Sequence, residues 1–293
     1  MPRSRELKEA LPFLLPLFIF FGIFILYPLI ASFLYSLSDI TLSHLELNFT
    51  GVENYVKLLS DRLFRQALIQ TIIYVAFHTA VGVPLGLGIA LLFNSEFRGR
   101  SFARVCLLIP WATPPIVAAT VFYLFFNPGF GPFTYLMELF RLWPHQYAIF
   151  GDPNMALIGL AVVSLWKSSP LFAFIFLSAL QNVPMDSVES AVVYGASKVT
   201  VIRKIIIPFL KPVLAVNCIL SGILSLSGTQ AYDLVMGITG GGPGYRTYML
   251  YFLSWHTAFP WNRLGYGSAM AYILTIISVI FALILIKLWY KRG

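Results

Sequence analysis

The sequence predicts an all-α protein that crosses a membrane several times. Three observations carry that reading: composition, the length of the apolar stretches, and the placement of lysine and arginine. Of 293 residues, 58% are hydrophobic and only 11% are charged. Soluble domains carry about 25% charged residues, so too few charges remain here to cover a water-facing surface. Six apolar stretches reach the roughly 20 residues that a helix needs to cross the hydrocarbon core. They run over about 12–36, 68–93, 105–126, 156–180, 210–232 and 265–288, and together predict one transmembrane domain over 1–293.

The first stretch follows Arg3, Arg5 and Lys8 and holds no charge from Ala10 to Ser38. A cleaved signal peptide has an apolar core of only about 7–15 residues, so this stretch reads as an uncleaved span. Pro110, Pro114 and Pro115 predict a kink in the third. Glycine, proline and serine recur inside the stretches, as membrane helices tolerate. Six crossings put both termini on one side. That side carries Arg3, Arg5, Lys8, Arg98, Arg100, Arg104, Lys198, Arg203, Lys204, Lys211, Lys287, Lys291 and Arg292. The other carries Lys57, Arg62, Arg65, Arg141, Arg246 and Arg263. Cytoplasmic loops are enriched in cations, so both termini are expected in the cytoplasm. Trp143, Trp255, Trp261 and Trp289 fall near span ends, where interfacial aromatics belong. The net charge of +8 then reads as orientation signals and headgroup contacts, not as a nucleic-acid surface. Cys106 and Cys218 read as small buried hydrophobes. His44, His78, His145 and His256 show no metal-ligand spacing and read as solvated or packed. No metal or catalytic site is expected.

One cytoplasmic loop is unusual. The segment 186–208 follows Pro184, which discourages continuation of the preceding span. Asp186 is placed to cap a new helix, with Glu189 three residues on. At 100° per residue Val188, Val192, Gly195, Val199 and Ile202 share one stripe, with Ala191 beside it and Ser190 and Ser197 opposite. The residues alone leave two readings: a helix lying on lipid, or one docked in a groove of another protein. Gly195 and Ala196 are poor membrane anchors and favour docking.

Glu189-Ser190-Ala191, then Gly195 and Ala196, then Ile205-Ile-Ile-Pro208 resembles the EAA loop of the membrane subunits of binding-protein-dependent ABC importers. Ser190 replaces the second alanine, Tyr194 stands where an aspartate is common, and Ile207 replaces leucine. The resemblance covers nearly the whole chain. Phe49-Thr-Gly51-Val-Glu-Asn54-Tyr55, Leu108-Ile-Pro110 with Pro114-Pro115, and Thr239-Gly-Gly-Gly-Pro243 are similar to other segments of that family, in its MalF-like sugar-permease branch. The resemblance implies a permease subunit in a prokaryotic inner membrane. It implies a coupling helix held in a cleft of a separate ATPase, a second permease subunit forming a heterodimer with this one, and an extracytoplasmic solute-binding protein. ATP and Mg belong to the ATPase, since this chain has no G-x-x-x-x-G-K-[ST] phosphate loop, and no cofactor is expected on this chain.

Polar groups inside spans are costly and mark cavities or helix contacts. Two clusters stand out: Ser164, Trp166, Lys167 and Ser168 in span 4, and Ser225, Ser227, Thr229, Gln230, Tyr232 and Asp233 toward the end of span 5. A sugar site wants hydrogen-bonding groups and an aromatic face, which Trp166 and Gln230 supply. By the resemblance, Trp166 matches an aromatic near the sugar. The serines read equally well as helix-packing residues. Lys167 either contacts solute, pairs with an acid such as Asp233, or reaches an aqueous cavity. A glycerol-phosphate importer would also suit a lysine in the path. A membrane-embedded enzyme would need a cluster of acids, histidines or a nucleophile–base pair within the spans, and a channel would not need a coupling helix.

Overall fold

The computed structural model describes residues 3–226 and 228–290, and their side chains outside 3–11, 229, 230 and 290. It is helical, with one isolated bridge, Ser38 to Phe49, in place of any sheet among those residues. The helices are α1 (Arg3–Phe21), α2 (Tyr27–Ser36), α3 (Glu53–Ser60), α4 (Arg62–Asn94), α5 (Arg100–Ala112), α6 (Pro115–Phe125), α7 (Pro132–Leu139) and α8 (Ala156–Leu180). There follow α9 (Met185–Val193), α10 (Lys198–Val201), α11 (Ile207–Phe209), α12 (Lys211–Leu226), α13 (Thr229–Ile238), α14 (Leu250–Ala258) and α15 (Leu264–Tyr290).

Four continuous stretches are long and apolar enough to cross a membrane: Pro12–Ser36, Arg62–Asn94, Ala156–Leu180 and Leu264–Trp289. Two bent pairs raise the number to six if each is one crossing: α5 with α6, bent by 96°, and Lys198–Phe209 with α12, bent by 72°. The first bend has the cause its sequence predicts. Thr113 is extended ahead of Pro114 and Pro115, because a residue before proline is pushed out of the helical region. The break goes further than a kink and yields two helices.

Proline also explains two π-helical turns. One, Gly22–Leu26, precedes Pro28 and the other, Ile202–Ile206, precedes Pro208. A proline ring clashes with the carbonyl four residues back and offers it no N–H. Widening one turn to i→i−5 bonding relieves the clash, as in the bonds from Tyr27 N–H to Gly22 O and from Ile207 N–H to Ile202 O. The fifth apolar stretch, expected over 210–232, also differs. It stops at Leu226, and α13 starts anew after Gly228, whose φ of +71° suits glycine.

The chain forms two compact units, Met1–Arg62 with Leu253–Ile273, and Leu63–Phe252 with Leu274–Gly293. In the first, Asn54 Nδ2 donates to the carbonyls of Ser36 (3.0 Å) and Ser38 (2.9 Å). Tyr55 OH meets Ser36 Oγ at 2.7 Å. Asn54 thus satisfies carbonyls that the end of α2 leaves without helical partners, and Tyr55 holds the Ser36 side chain. Tyr266 OH donates to Asp61 Oδ2 at 2.9 Å, and Arg263 lies over the Tyr266 ring.

The second unit is built on a close crossing of α4 and α8. A Cβ at Gly86 would come within 2.5 Å of Phe172 Cβ, and one at Gly82 within 2.8 Å of Leu165. Small residues let membrane helices approach this closely. Phe172 and Phe176 are fully buried beside the contact. At one end of the unit Val83, Ala90, Phe176, Leu177, Leu180, Val183 and Leu210 make a core, onto which Val188 and Ile206 pack.

Candidate functional site

The segment expected to couple is not one amphipathic helix. Asp186 does not cap it: α9 starts at Met185, after Pro184, and Asp186 sits in its first turn, where its charge suits the helix dipole. At the other end Ala196 N–H bonds to Ala191 O and Gly195 N–H to Val192 O, both at 2.9 Å. Gly195 has φ of +80°. These two bonds around a left-handed glycine are the Schellman C-cap. The expected continuous stripe from Val188 to Ile202 is therefore cut at Gly195, and Val192 and Val199 sit on separate helices. Ser197 then caps α10, its Oγ accepting from Thr200 N–H at 3.3 Å.

This gives the E-x-A-x-x-x-G spacing a physical reason. Ala191 supplies the carbonyl that the residue after the glycine must reach. A Cβ at Gly195 would meet nothing within 4 Å, so backbone conformation, not crowding within this chain, calls for glycine there. Val188 and Ile206 anchor the segment to the core. The outward side carries exposed Glu189, Ser190 and Pro208, with Val193 at 82% and Tyr194 at 89% exposure. Ala191 and Ala196 are half-buried. The result is a stiff, firmly seated projection with an apolar tip.

The polar cluster of α8 is divided by the structure. Trp166 is 37% exposed and meets the Phe122 ring edge-on at 5.0 Å. Lys167, next along, is 3% exposed and faces the protein. Its Nζ donates to Thr113 O at 2.6 Å and Trp111 O at 3.1 Å. It therefore pairs neither with Asp233 nor with an aqueous cavity. It satisfies carbonyls left unpaired by the α5–α6 break, which in hydrocarbon would otherwise cost several kcal/mol. Ser164 is half-buried, and its carbonyl accepts from Ser168 Oγ at 2.8 Å. In the second cluster, Tyr232 and Asp233 are half-buried on α13, with the Tyr232 ring 5.2 Å from Phe252. Ser227 and the Gln230 side chain lie outside the described residues. The α13 helix packs against α6 and α8, the helices that carry Phe122 and Trp166.

His78 is the residue that sequence reasoning missed. It is 2% exposed and joins three helices. Its Nε2 is 2.9 Å from Ser168 Oγ on α8, and its Nδ1 is 2.9 Å from Ser221 Oγ on α12. With Ser168 Oγ donating to Ser164 O, it accepts from Nε2–H. Ser221 Oγ on the other side of the ring is also 3.1 Å from Thr79 Oγ1. His78 thus links the hydroxyls of α4, α8 and α12 through both ring nitrogens. The signal was present in the serines at 164, 168, 221 and 225, which recur at a spacing of about one helical turn.

Similar proteins agree with this architecture. The chain is 31% identical over 286 residues to the trehalose/maltose transport system permease protein MalF of Thermococcus litoralis, covering 97% of this chain and 95% of that one. It is 32% identical over 271 residues to the sulfoquinovosyl glycerol transport system permease protein SmoG of Agrobacterium fabrum, covering 92% and 86%. A crystal structure of a bacterial ABC transporter that imports the acidic polysaccharide alginate superposes with a TM-score of 0.85 at 17% identity, over 99% of each chain, which speaks for the fold. Residues 82–292 match the family described as binding-protein-dependent transport system inner membrane component, and the chain belongs to that family.

Proposed function

We propose that this chain is the permease subunit of an ATP-driven importer for a sugar or oligosaccharide. The observation that carries the coupling half is the projection from Met185 to Phe209, seated on the core by Val188 and Ile206 and ending in exposed Val193 and Tyr194. Its shape suits insertion into a cleft of a separate ATPase, the mode in which an apolar helix face fills a groove. ATP and Mg belong on that partner, and this chain carries no catalysis of its own. Closure of two ATPases would draw two such projections together, one from this chain and one from a second, different permease. A binding protein delivers solute on the opposite face, and both termini lie in the cytoplasm. Each conformational state must contact its ligands differently for ATP to shift the balance.

The sugar half rests on two supports. Relatives named above are permeases for trehalose, maltose and sulfoquinovosyl glycerol, and Trp166 presents an aromatic face beside Phe122. A permease of Yersinia pestis named for sn-glycerol-3-phosphate is 27% identical. Against that alternative, Lys167 is buried and already committed to two carbonyls, so it is not poised for a phosphate.

The test is reconstitution with the partner ATPase, second permease and binding protein, after identifying by calorimetry the solute that the binding protein holds. A sugar is expected. Trp166→Ala should weaken uptake about tenfold while the complex still co-purifies, the loss of one aromatic contact plus its orientation. Binding of sn-glycerol-3-phosphate with no response to sugars would replace this reading by the alternative.

A further inference from the structure

The glycine-rich turn 239–243 lies outside the segment 186–208. It forms one wall of an open cavity of about 360 Å³, within the roughly 300–1,000 Å³ of small-molecule sites. The other walls are aromatic. Tyr123 and Phe126 come from the end of α6, and Phe150 from the turn ahead of α8. The Phe126 and Phe150 rings stand 5.5 Å apart at 79°, making a corner. Tyr123 is 47% exposed, whereas Phe126 is 7% exposed and fixed.

The cavity also has a directional polar group. Asn127 Oδ1 accepts from Gly129 N–H at 2.9 Å and Phe130 N–H at 3.3 Å. With that oxygen held by the turn, Nδ2 is left as the donor of a half-buried side chain in the cavity lining, and no hydrogen bond from it to a described residue is made. The glycine wall is rigid. Thr247 Oγ1 lies 2.8 Å from both Gly242 O and Thr239 Oγ1, and Thr239 Oγ1 also reaches Val235 O at 3.2 Å and accepts from Gly241 N–H. Gly240 and Gly241 hold φ of +57° and +91°, which side chains rarely adopt. A side chain at Gly241 would also collide with the Tyr248 ring. The site is thus formed in advance of any ligand.

The corner leads to Trp166. Phe126 stacks on Phe122 with centroids 6.1 Å apart, and Phe122 meets Trp166 at 5.0 Å. We propose that this cavity is a second carbohydrate subsite, outward of Trp166, which takes one pyranose ring against Tyr123 and Phe150 while Asn127 Nδ2 donates to a ring hydroxyl. A pyranose has an apolar C–H face and a polar rim, and the cavity pairs aromatic area with one placed donor. Among the described residues no lysine or arginine lines it, so a phosphate is a poor fit. Solute arriving from the binding protein would occupy this corner before reaching Trp166. The proposal rests on the sugar-importer reading above.

The test uses the complete importer in proteoliposomes with its loaded binding protein, and labelled maltose and trehalose as probes, with sn-glycerol-3-phosphate beside them. If the wild type imports sn-glycerol-3-phosphate and neither sugar, the sugar-importer reading itself falls, and the subsite with it. If it imports one, Tyr123→Ala should raise the half-saturating concentration of loaded binding protein about fivefold, and Tyr123→Phe should recover most of that loss. Ala148→Trp, which fills the cavity, should cut uptake at least about tenfold in a complex that still co-purifies with its ATPase. If Ala148→Trp does not assemble, the Tyr123 pair decides. Wild-type half-saturation in Tyr123→Ala, or a loss that Tyr123→Phe does not recover, overturns the subsite while leaving the importer reading in place.

Discussion

At the scale of single residues, Gly195 and Lys167 show how a position can be important without touching a ligand. Gly195 ends α9 in the left-handed region, where an L-residue costs roughly 1–2 kcal/mol. Gly195→Ala is expected to destabilise that cap by this amount and to lower co-purification of the ATPase; normal association and uptake would remove the projection from the coupling path. A bulkier residue there should add a steric block at the tip. Lys167 balances two terms. Hydrogen bonds from a charged group contribute about 1.5–3 kcal/mol each, while an ammonium at the centre of a span costs about 2.5–3.5 kcal/mol. Two such bonds against that cost leave between about −0.5 and 3.5 kcal/mol, so Lys167→Met should cost at most about 3.5 kcal/mol and loosen the break. The expected signature is faster amide exchange at Trp111, Ala112, Thr113 and Ile116 than in the rest of α5 and α6. Unaltered exchange would show that the two carbonyls find other partners.

Among the elements, the loop from α7 to α8 makes its own prediction. Gln146 N–H and His145 bond to the Glu138 carboxylate and hold it below its ordinary value of 4.5, the Gln146 bond being the larger cause. Tyr147 OH donates to Asp152 at 2.7 Å and, with Asn154 N–H, holds Asp152 below 3.8. Tyr147 is pushed up to about 12 by the same bond. A carboxylate whose folded value is depressed contributes stability above its ordinary value, lost as pH falls through the depressed one. The loop should keep its protease resistance through neutral and mildly acid pH and lose it only below about pH 4. Asp152→Asn should remove the Asp152 part of that acid transition, leaving the step due to Glu138. A loop that opens already near pH 6 would count against the two carboxylates as the groups that hold it.

The same elements show what was legible in the sequence. Helical content and the long apolar stretches follow from composition and length alone. The third-span bend was legible because two adjacent prolines act locally. The break after α12 was not, because Ser-Gly pairs also occur inside straight membrane helices and only the packed Tyr251 ring beside Gly228 marks the difference. The α9 stripe misled for a related reason. Periodicity continued through Gly195 in the letters while the backbone reversed its φ there. Lys167 was read as a path residue because a buried cation in a span is usually functional. Its acceptors, two carbonyls more than fifty residues away, carry no sequence signature.

On the scale of the whole molecule, the charge pattern predicts topology. With Arg98, Arg100, Arg104 and the basic run from Lys198 to Lys211 on one face, reporters fused at either end should read as cytoplasmic, and a reporter in the 127–155 loop as external. Labelling of both ends from outside would invert the assignment. The π turn over Ile202–Ile206 bears on the same scale. It houses one residue more than an α turn, and one residue corresponds to about 100° of helix rotation. Pro208, which enforces it, therefore sets the angular phase between α10 and α11, ahead of the 72° bend into α12. An exposed proline thus fixes how the outward segment is turned where it joins the apolar stretches, and a single residue is the natural unit of that turn.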